Sequence, residues 1–414
     1  MTWKPIVHDA EGVRRVVGAV HRILADTDRL APTQMRGPLA AQLAVLNAYA
    51  SLGLGDATRS RRAVELLDLA AQTANEVAPN VSLFEGILTI AYAHEHVGRL
   101  LGTQRNDDIN ADVDEGLIEL LEGEDTLVPF DLVAGLSGIG MYALERAETS
   151  SGARLLDLVI RRLRRAAQPM NVGCAWRTRA PAGSSADLTA FSQGIYPTGM
   201  AHGAAGPIAF LSEAIHRSTV PEAAELLRDA LAWMGSQLQT NDDCPVFAIS
   251  FDPVSGRSIE RGRYTWCWGD VGLWPATVGT QYHQTASSLY EAAIRASSAY
   301  AAAPALFGDP FDACLCHGAC GIGHIFNRLH HHTGRADYER AARWWLSSAL
   351  NAQRDEGLGG FVFMSDRVNN RNIYTSNTTI IGGVTGVALA LIASVSTLPP
   401  RWDRLMGLGP LALD

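Results

Sequence analysis

Apolar residues recur at three- and four-residue spacing through most of the 414-residue chain, which predicts helices with one buried face. The pattern is clearest in LAAQLAVLNAYASLG (39–53), RRAVELLDLAAQTA (61–74), LLDLVIRRLRRAA (155–167), PEAAELLRDALAWMGSQLQ (221–239) and RADYERAARWWLSSALNAQ (335–353). Pro221 followed by acidic residues reads as a helix start, because proline suits the first turn and carboxylates suit the positive end of the dipole. Alternating strands are scarce. FAISFDP (247–253) and GGFVFMSD (359–366) are the two short candidates. The apolar stretch from Val384 to Ala393 is too short to span a bilayer.

A longer period lies over the helical one. The motif G-x-x-G followed by an apolar helix occurs as GLSGIGMYAL (135–144), GAAGPIAFL (203–211), GDVGLWPA (269–276), GACGIGHIF (318–326) and GVTGVALALIA (383–393). A degenerate copy, GILTIAYAH, begins at Gly86. The first glycines are 49 to 68 residues apart, room for two helices and a loop. The expected fold is therefore all-α: an α/α toroid of six inner helices, each starting at a glycine pair, and six outer helices around them. No helix pair buries its own apolar face, so residues 1–414 should close as a single domain. Residues 168–200 and 240–265, rich in Pro, Gly, Ser and Asn, read as excursions over one face, as loops or a small β-containing part.

Composition narrows the function classes. Hydrophobic residues make up 47% of the chain and the formal net charge is −9, which argues against nucleic acid as a partner. The N-terminus MTWKPIVHDAEG lacks a basic-then-apolar signal pattern, so a cytoplasmic location is expected. Six cysteines in a reducing compartment are not a disulfide scaffold; clustered as CLCHGACG (314–321), they suggest a metal or a reactive thiol.

Aligned inner helices would gather their N-terminal turns at one end. Asp131 stands before Gly135, His202 precedes Gly203, Arg263 and Trp266-Cys267-Trp268 run up to Gly269, and Cys316-His317 abut Gly318. Cys267, Cys316 and His317 form a Cys₂His donor set suited to zinc, with one position left open for substrate. Two thiolates cancel the charge of the ion, which favours activating a thiol over hydrolysing an amide. Addition of Cys314 would close the set and make it structural. Cys320 is expected in the core, and Cys174 and Cys244 have no assigned role. His324 reads as a helix histidine or a supporter of the site, and His330–His332 as a run on the opposite, solvated rim. His202 is the acid–base candidate. Asp131 would orient a histidine, bind a substrate amide or cap a helix. Arg263 would steady a developing enolate or sit in a loop ion pair. A glycosidase on such a scaffold would need two inward carboxylates, and only Asp131 stands at a comparable turn.

AHGAAG (201–206), RYTWCWG (263–269) and CHGACG (316–321), set among repeated glycine turns, resemble the lanthionine synthetase C-like family of lantibiotic cyclases, over about residue 35 to the end. The resemblance implies an α/α toroid enzyme holding one zinc ion per chain through Cys267, Cys316 and His317. It implies His202 as proton donor and acceptor, Asp131 and Arg263 as catalytic partners, and Trp266 as a substrate-binding residue; Trp268, whose ring can stack, is the other substrate-binding candidate. The implied reaction adds a peptide cysteine to dehydroalanine or dehydrobutyrine, forming lanthionine or methyllanthionine. The implied partners are a dehydrated precursor peptide with its leader, a dehydratase and a transporter, with attachment at the membrane periphery through such a complex. Cyclases of bacteria commonly carry tyrosine after the zinc cysteine, whereas this chain has Trp268. A non-catalytic relative that binds thiols or partner proteins is the alternative reading.

Overall fold

The computed structural model describes residues 2–76, 80–103, 108–123, 127–178, 194–241, 244–261, 264–279, 287–304, 312–368 and 371–409. In chain order the helices are α1 (Ala10–Asp28), α2 (Gly37–Leu54), α3 (Thr58–Gln72), α4 (Ile87–Leu101), α5 (Ala111–Glu122), α6 (Leu136–Glu145) and α7 (Ser150–Ala166). They continue as α8 (Ala205–Ala214), α9 (Ala223–Ser236), α10 (Asp270–Val278), α11 (Ser287–Ala302), α12 (Ala319–Thr333), α13 (Ala336–Asn351) and α14 (Val384–Val395).

Helices buried on one face alternate with helices buried on nearly all faces. α7 is of the first kind: its apolar Leu155, Leu156, Val159, Ile160 and Leu163 are buried while four of its arginines cluster at 161–165. α6, α10 and α14 are of the second kind, buried along almost their whole length. α2 is also buried on most sides, although Gly37 and Pro38 open it rather than a G-x-x-G turn.

The glycine turns share one construction. Gly86, Gly135, Gly269, Gly318 and Gly383 are each the N-cap of the following helix, in extended backbone. The chain curls beneath the helix start, and a carbonyl seven residues back takes its first amide. Thus Ile87, Leu136, Ala319 and Val384 donate to Asn80, Pro129, Asp312 and Asn377. This meets the orphan donors of a helix start without a side-chain cap. The backbone passes so close that a Cβ on Gly321 or Gly386 would overlap the carbonyl oxygen of Leu315 or Ile380. The α8 turn departs slightly: its helix begins at Ala205, with Ala204 as the cap.

The chain forms two compact units. The first comprises residues 2–110 and 300–402. Here α2 packs on α3, α4 and α14, and α12 packs on α13 and α14. Gln42, buried in α2, bridges two turns: its amide nitrogen donates to the Phe84 carbonyl, and its oxygen accepts from the Ile380 amide. An antiparallel hairpin, β7 (Phe363–Val368) with β8 (Arg371–Thr375), carries a register shift between Met364 and Asp366.

The second unit comprises the described residues of 111–299 and 403–409. α6 packs on α7 and α8, and α8 on α9 and α10. The 168–200 excursion contains the short pair β1 (Gln168–Pro169) and β2 (Cys174–Ala175), and it ends in β3 (Tyr196–Pro197). The 240–265 excursion holds the second half of β4 (Leu238–Asn241) and all of β5 (Cys244–Asp252) and β6 (Arg257–Arg261). β5 is central, pairing antiparallel with β3, β4 and β6. Its Phe247 amide donates to the buried Asp270 at the start of α10, which fastens the sheet to a glycine turn.

The His330–His332 run does not lie wholly on a solvated rim. His331 is 7% exposed, seven residues from the fully buried His324 and four from the buried Asn327. Helical spacing places all three on one inward face.

Candidate functional site

In the second unit three consecutive turns are laced together by backbone hydrogen bonds. Leu132 donates to the Ala201 carbonyl at 3.1 Å, and Ala201 donates to the Cys267 carbonyl at 3.2 Å. Gly199 makes this approach possible, since a Cβ there would strike the Cys267 carbonyl. The lacing brings together Asp131, His202, Cys267 and Trp268, which are 137 positions apart at the extremes.

Asp131 divides its carboxylate between two tasks. Oδ1 accepts the Ala134 amide at 2.8 Å, which shapes the turn, and Oδ2 faces His202 Nδ1 at 3.3 Å. A carboxylate accepts only, so Nδ1 carries a proton and the ring is held by it. The His202 side chain is 38% exposed, so solvent reaches it. On its other flank the Trp268 ring lies 5.6 Å away, tilted by 37°. Cys267 is half-buried, with Sγ 3.7 Å from the Thr265 hydroxyl. Thr265 also accepts the Trp268 amide at 3.4 Å and so organises the Cys267 turn. Trp266 is 1% exposed, and its indole N–H donates to the Met406 carbonyl at 2.8 Å. Its place in the structure is that of a packing post. Arg263 lies outside the described residues.

In the first unit the turn before α12 carries Asp312, Cys314, Cys316 and His317. Leu315 and Cys316 donate to the Ile381 carbonyl at 3.1 and 3.0 Å, which ties this turn to the one before α14. His317 Nε2 lies 3.3 Å from Asp312 Oδ2, and the Asp312 side chain is 1% exposed. Asp312 is a residue the motif reading passed over; its signal was a carboxylate five residues before the histidine. Burial works against its charge, but hydrogen bonds from His317 and from the Cys314 amide outweigh that and hold its carboxyl below the usual carboxylate range.

The cysteines of this turn differ sharply. Cys316 is half-buried, while Cys314 and Cys320 are buried. Burial pushes the Cys314 thiol well above its ordinary range, with the Asp312 charge adding to the effect. Burial likewise raises Cys320, which agrees with a core role. Asp312, Cys314 and His317 each offer a donor atom within 4.8 Å of the others, a spacing compatible with a metal. Within that group, however, Cys314 Sγ accepts the His317 amide at 3.5 Å, and both Asp312 oxygens accept backbone amides. His324, the other histidine near this helix, is fully buried and stacked 4.8 Å from Trp402, a core position.

Helices buried on all sides, alternating with one-faced helices and headed by glycine turns that carry imidazoles, carboxylates and thiols, define a class: the all-α, α/α toroid proteins. The solved structure of nisin cyclase shows that fold and superposes at a TM-score of 0.68 with 17% identity, covering 94% of this chain and 97% of that one. The sequence matches the family described as lanthionine synthetase C-like protein over residues 43–406, and the chain belongs to that family. No curated protein matches it.

Proposed function

We propose that this chain is a zinc-dependent lanthipeptide cyclase. It would close lanthionine and methyllanthionine rings by adding a peptide cysteine to a dehydroalanine or dehydrobutyrine of the same peptide. Family membership and the fold shared with nisin cyclase support the class of reaction. The observation that carries the mechanism is the Asp131–His202 pair, held at a glycine turn whose laced neighbour presents Cys267 and Trp268.

Cys267, Cys316 and His317 are the proposed zinc ligands. Their chemistry fits: two sulfurs of half-buried residues, each two positions before an N-cap glycine, and an imidazole whose Nε2 is engaged by a carboxylate. A zinc ion held there would let an incoming peptide thiol lose its proton near neutral pH. The sulfur then adds to the β-carbon, and the electron pair of the double bond moves onto the α-carbon and its carbonyl. His202, held through Nδ1 by Asp131, supplies from Nε2 the proton that the α-carbon takes up. The thiol proton lost on binding balances this one. Arg263 is proposed to steady the enolate, and Trp268 to stack on the peptide beside His202. The precursor peptide arrives already dehydrated, so a dehydratase acts upstream. We also propose that a loop excursion holds its leader, with a transporter downstream of a cytoplasmic reaction. Among the described residues no helix is long and apolar enough to cross a membrane.

The test is cyclisation of a dehydrated precursor, read as loss of alkylatable thiols, alongside zinc content. Cys316→Ala should lose both zinc and cyclisation. His202→Asn should keep zinc while turnover falls about 10²–10⁴-fold, the usual worth of a general acid–base group. Full turnover in that variant removes His202 from the mechanism. Zinc bound by the intact chain with no turnover on any dehydrated peptide favours a thiol-binding, non-catalytic role.

A further inference from the structure

We infer that Asp312 is the positioning residue of His317: it fixes the imidazole tautomer so that Nδ1, not Nε2, is presented to the metal. The inference rests on the zinc reading above and adds a residue outside the ligand set. Asp312 Oδ2 lies 3.3 Å from His317 Nε2. Oδ2 also accepts the Met364 amide at 3.0 Å, and Oδ1 accepts the Cys314 amide at 2.8 Å. A buried carboxylate surrounded by three donors has no reason to leave, and it cannot donate, so the shared proton sits on Nε2. The lone pair of the ring is then on Nδ1. A carboxylate behind a histidine in this manner orients the ring and raises its basicity toward a metal.

The two backbone amides say what holds the carboxylate itself. The Cys314 amide fixes one oxygen from within the same turn. The Met364 amide comes from β7, immediately before the register shift that separates Met364 from Asp366. An irregularity of this kind re-aims a strand locally, and here the amide before it points at the group behind His317. The β7–β8 hairpin is thus a brace for the turn before α12. Cys314, whose sulfur accepts the His317 amide, shapes the same turn and is no ligand in this arrangement.

Zinc affinity measured by competition with a chromophoric chelator, and the spectrum of the cobalt-substituted chain, test the assignment. Asp312→Asn should keep one metal per chain and its thiolate–cobalt bands, with affinity weaker by about 10–100-fold. Cys314→Ser should bind zinc like the parent. Unchanged affinity in Asp312→Asn overturns the assignment while leaving the zinc site standing. Loss of the thiolate–cobalt bands in Cys314→Ser, or of all binding in both variants, makes Asp312 and Cys314 ligands instead. Should Asp312→Asn not fold, the imidazole ¹⁵N shifts of the metal-free parent decide. A His317 protonated on Nε2 supports the inference, and one protonated on Nδ1 overturns it. A parent chain that takes up no zinc overturns the zinc reading and this inference together.

Discussion

Asp270 shows how a single residue can be placed against its chemistry. A carboxylate in the first turn of a helix is normally favoured by the dipole. Asp270 is 2% exposed, however, and burial raises its pKa from 3.8 to about 7, with the Phe247 amide opposing only in part. A folded-state value above the unfolded one means that the proton favours folding. Its contribution is complete below pH 3.8 and is lost as pH rises toward about 7, at up to about 1.4 kcal/mol per pH unit. Asp270→Asn keeps the shape and removes the ionisation. It should raise the melting temperature relative to the parent at pH 8 and leave it little changed at pH 4, as measured by thermal melts across that range. Equal melting at both pH values in parent and variant would show that Asp270 does not ionise against burial. Residue types at Cys267, His202, Cys316 and His317 were readable from motif and spacing alone. Asp312 was not, because a lone aspartate ahead of a cysteine cluster has no meaning until the ring it faces is in place.

Among the elements, the glycine turn is what repeats. Its extended N-cap is accessible to any residue, so backbone freedom is not why glycine stands there. Crowding is: the carbonyl six residues back occupies the volume of a side chain at the N-caps Gly135 and Gly383, and again at the second glycines Gly321 and Gly386. Gly321→Ala should therefore shift the turn that carries Cys316 and His317 and lower stability by about 1–3 kcal/mol, the usual range for overpacking. Gly18→Ala in the middle of α1 meets nothing within 4 Å and should stabilise by roughly 0.5–1 kcal/mol. Urea titrations of the two variants measure the contrast. The helices behind 61–74, 155–167, 221–239 and 335–353 were legible because one-sided burial writes a period into the sequence, whereas 39–53 was legible as a run rich in helix-forming apolar residues and is buried on most sides rather than on one face. α11 carries a weaker stripe and α5 spans only Ala111–Glu122, and both stood out only in the structure. The small sheet was half legible: β5 alternates, whereas β3 is two residues long and exists only because β5 pairs with it.

On the scale of the molecule, the first unit is made from two stretches far apart in the chain. Trp3 donates its indole N–H to the Ala393 carbonyl at 2.9 Å, and Ile6 and Val7 donate to the Ser394 carbonyl. Trp3 stacks on His331 at 3.8 Å. A neutral His331 with its proton on Nδ1 donates to the Asn327 carbonyl and accepts the Lys4 amide on Nε2. Burial lowers the His331 pKa, and its bonds to backbone only partly restore it. The folded value lies below the unfolded 6.5, so this clasp contributes fully above pH 6.5 and weakens as pH falls beneath it. Protection factors of the Lys4, Ile6 and Val7 amides, which correct for the intrinsic pH trend, should fall between pH 7 and 5.5. Trp3→Ala should remove that pH dependence and destabilise by about 3–5 kcal/mol. What the sequence alone determined is what local rules encode: helical period, glycine-turn repeats and the chemical identity of the candidate donors. What only the tertiary structure decided is which groups meet across long separations — Asp131 with His202, Met364 with Asp312, Trp3 with His331. Such pairings arise from how helices pack, a cooperative property of many weak contacts that no single stretch of residues records.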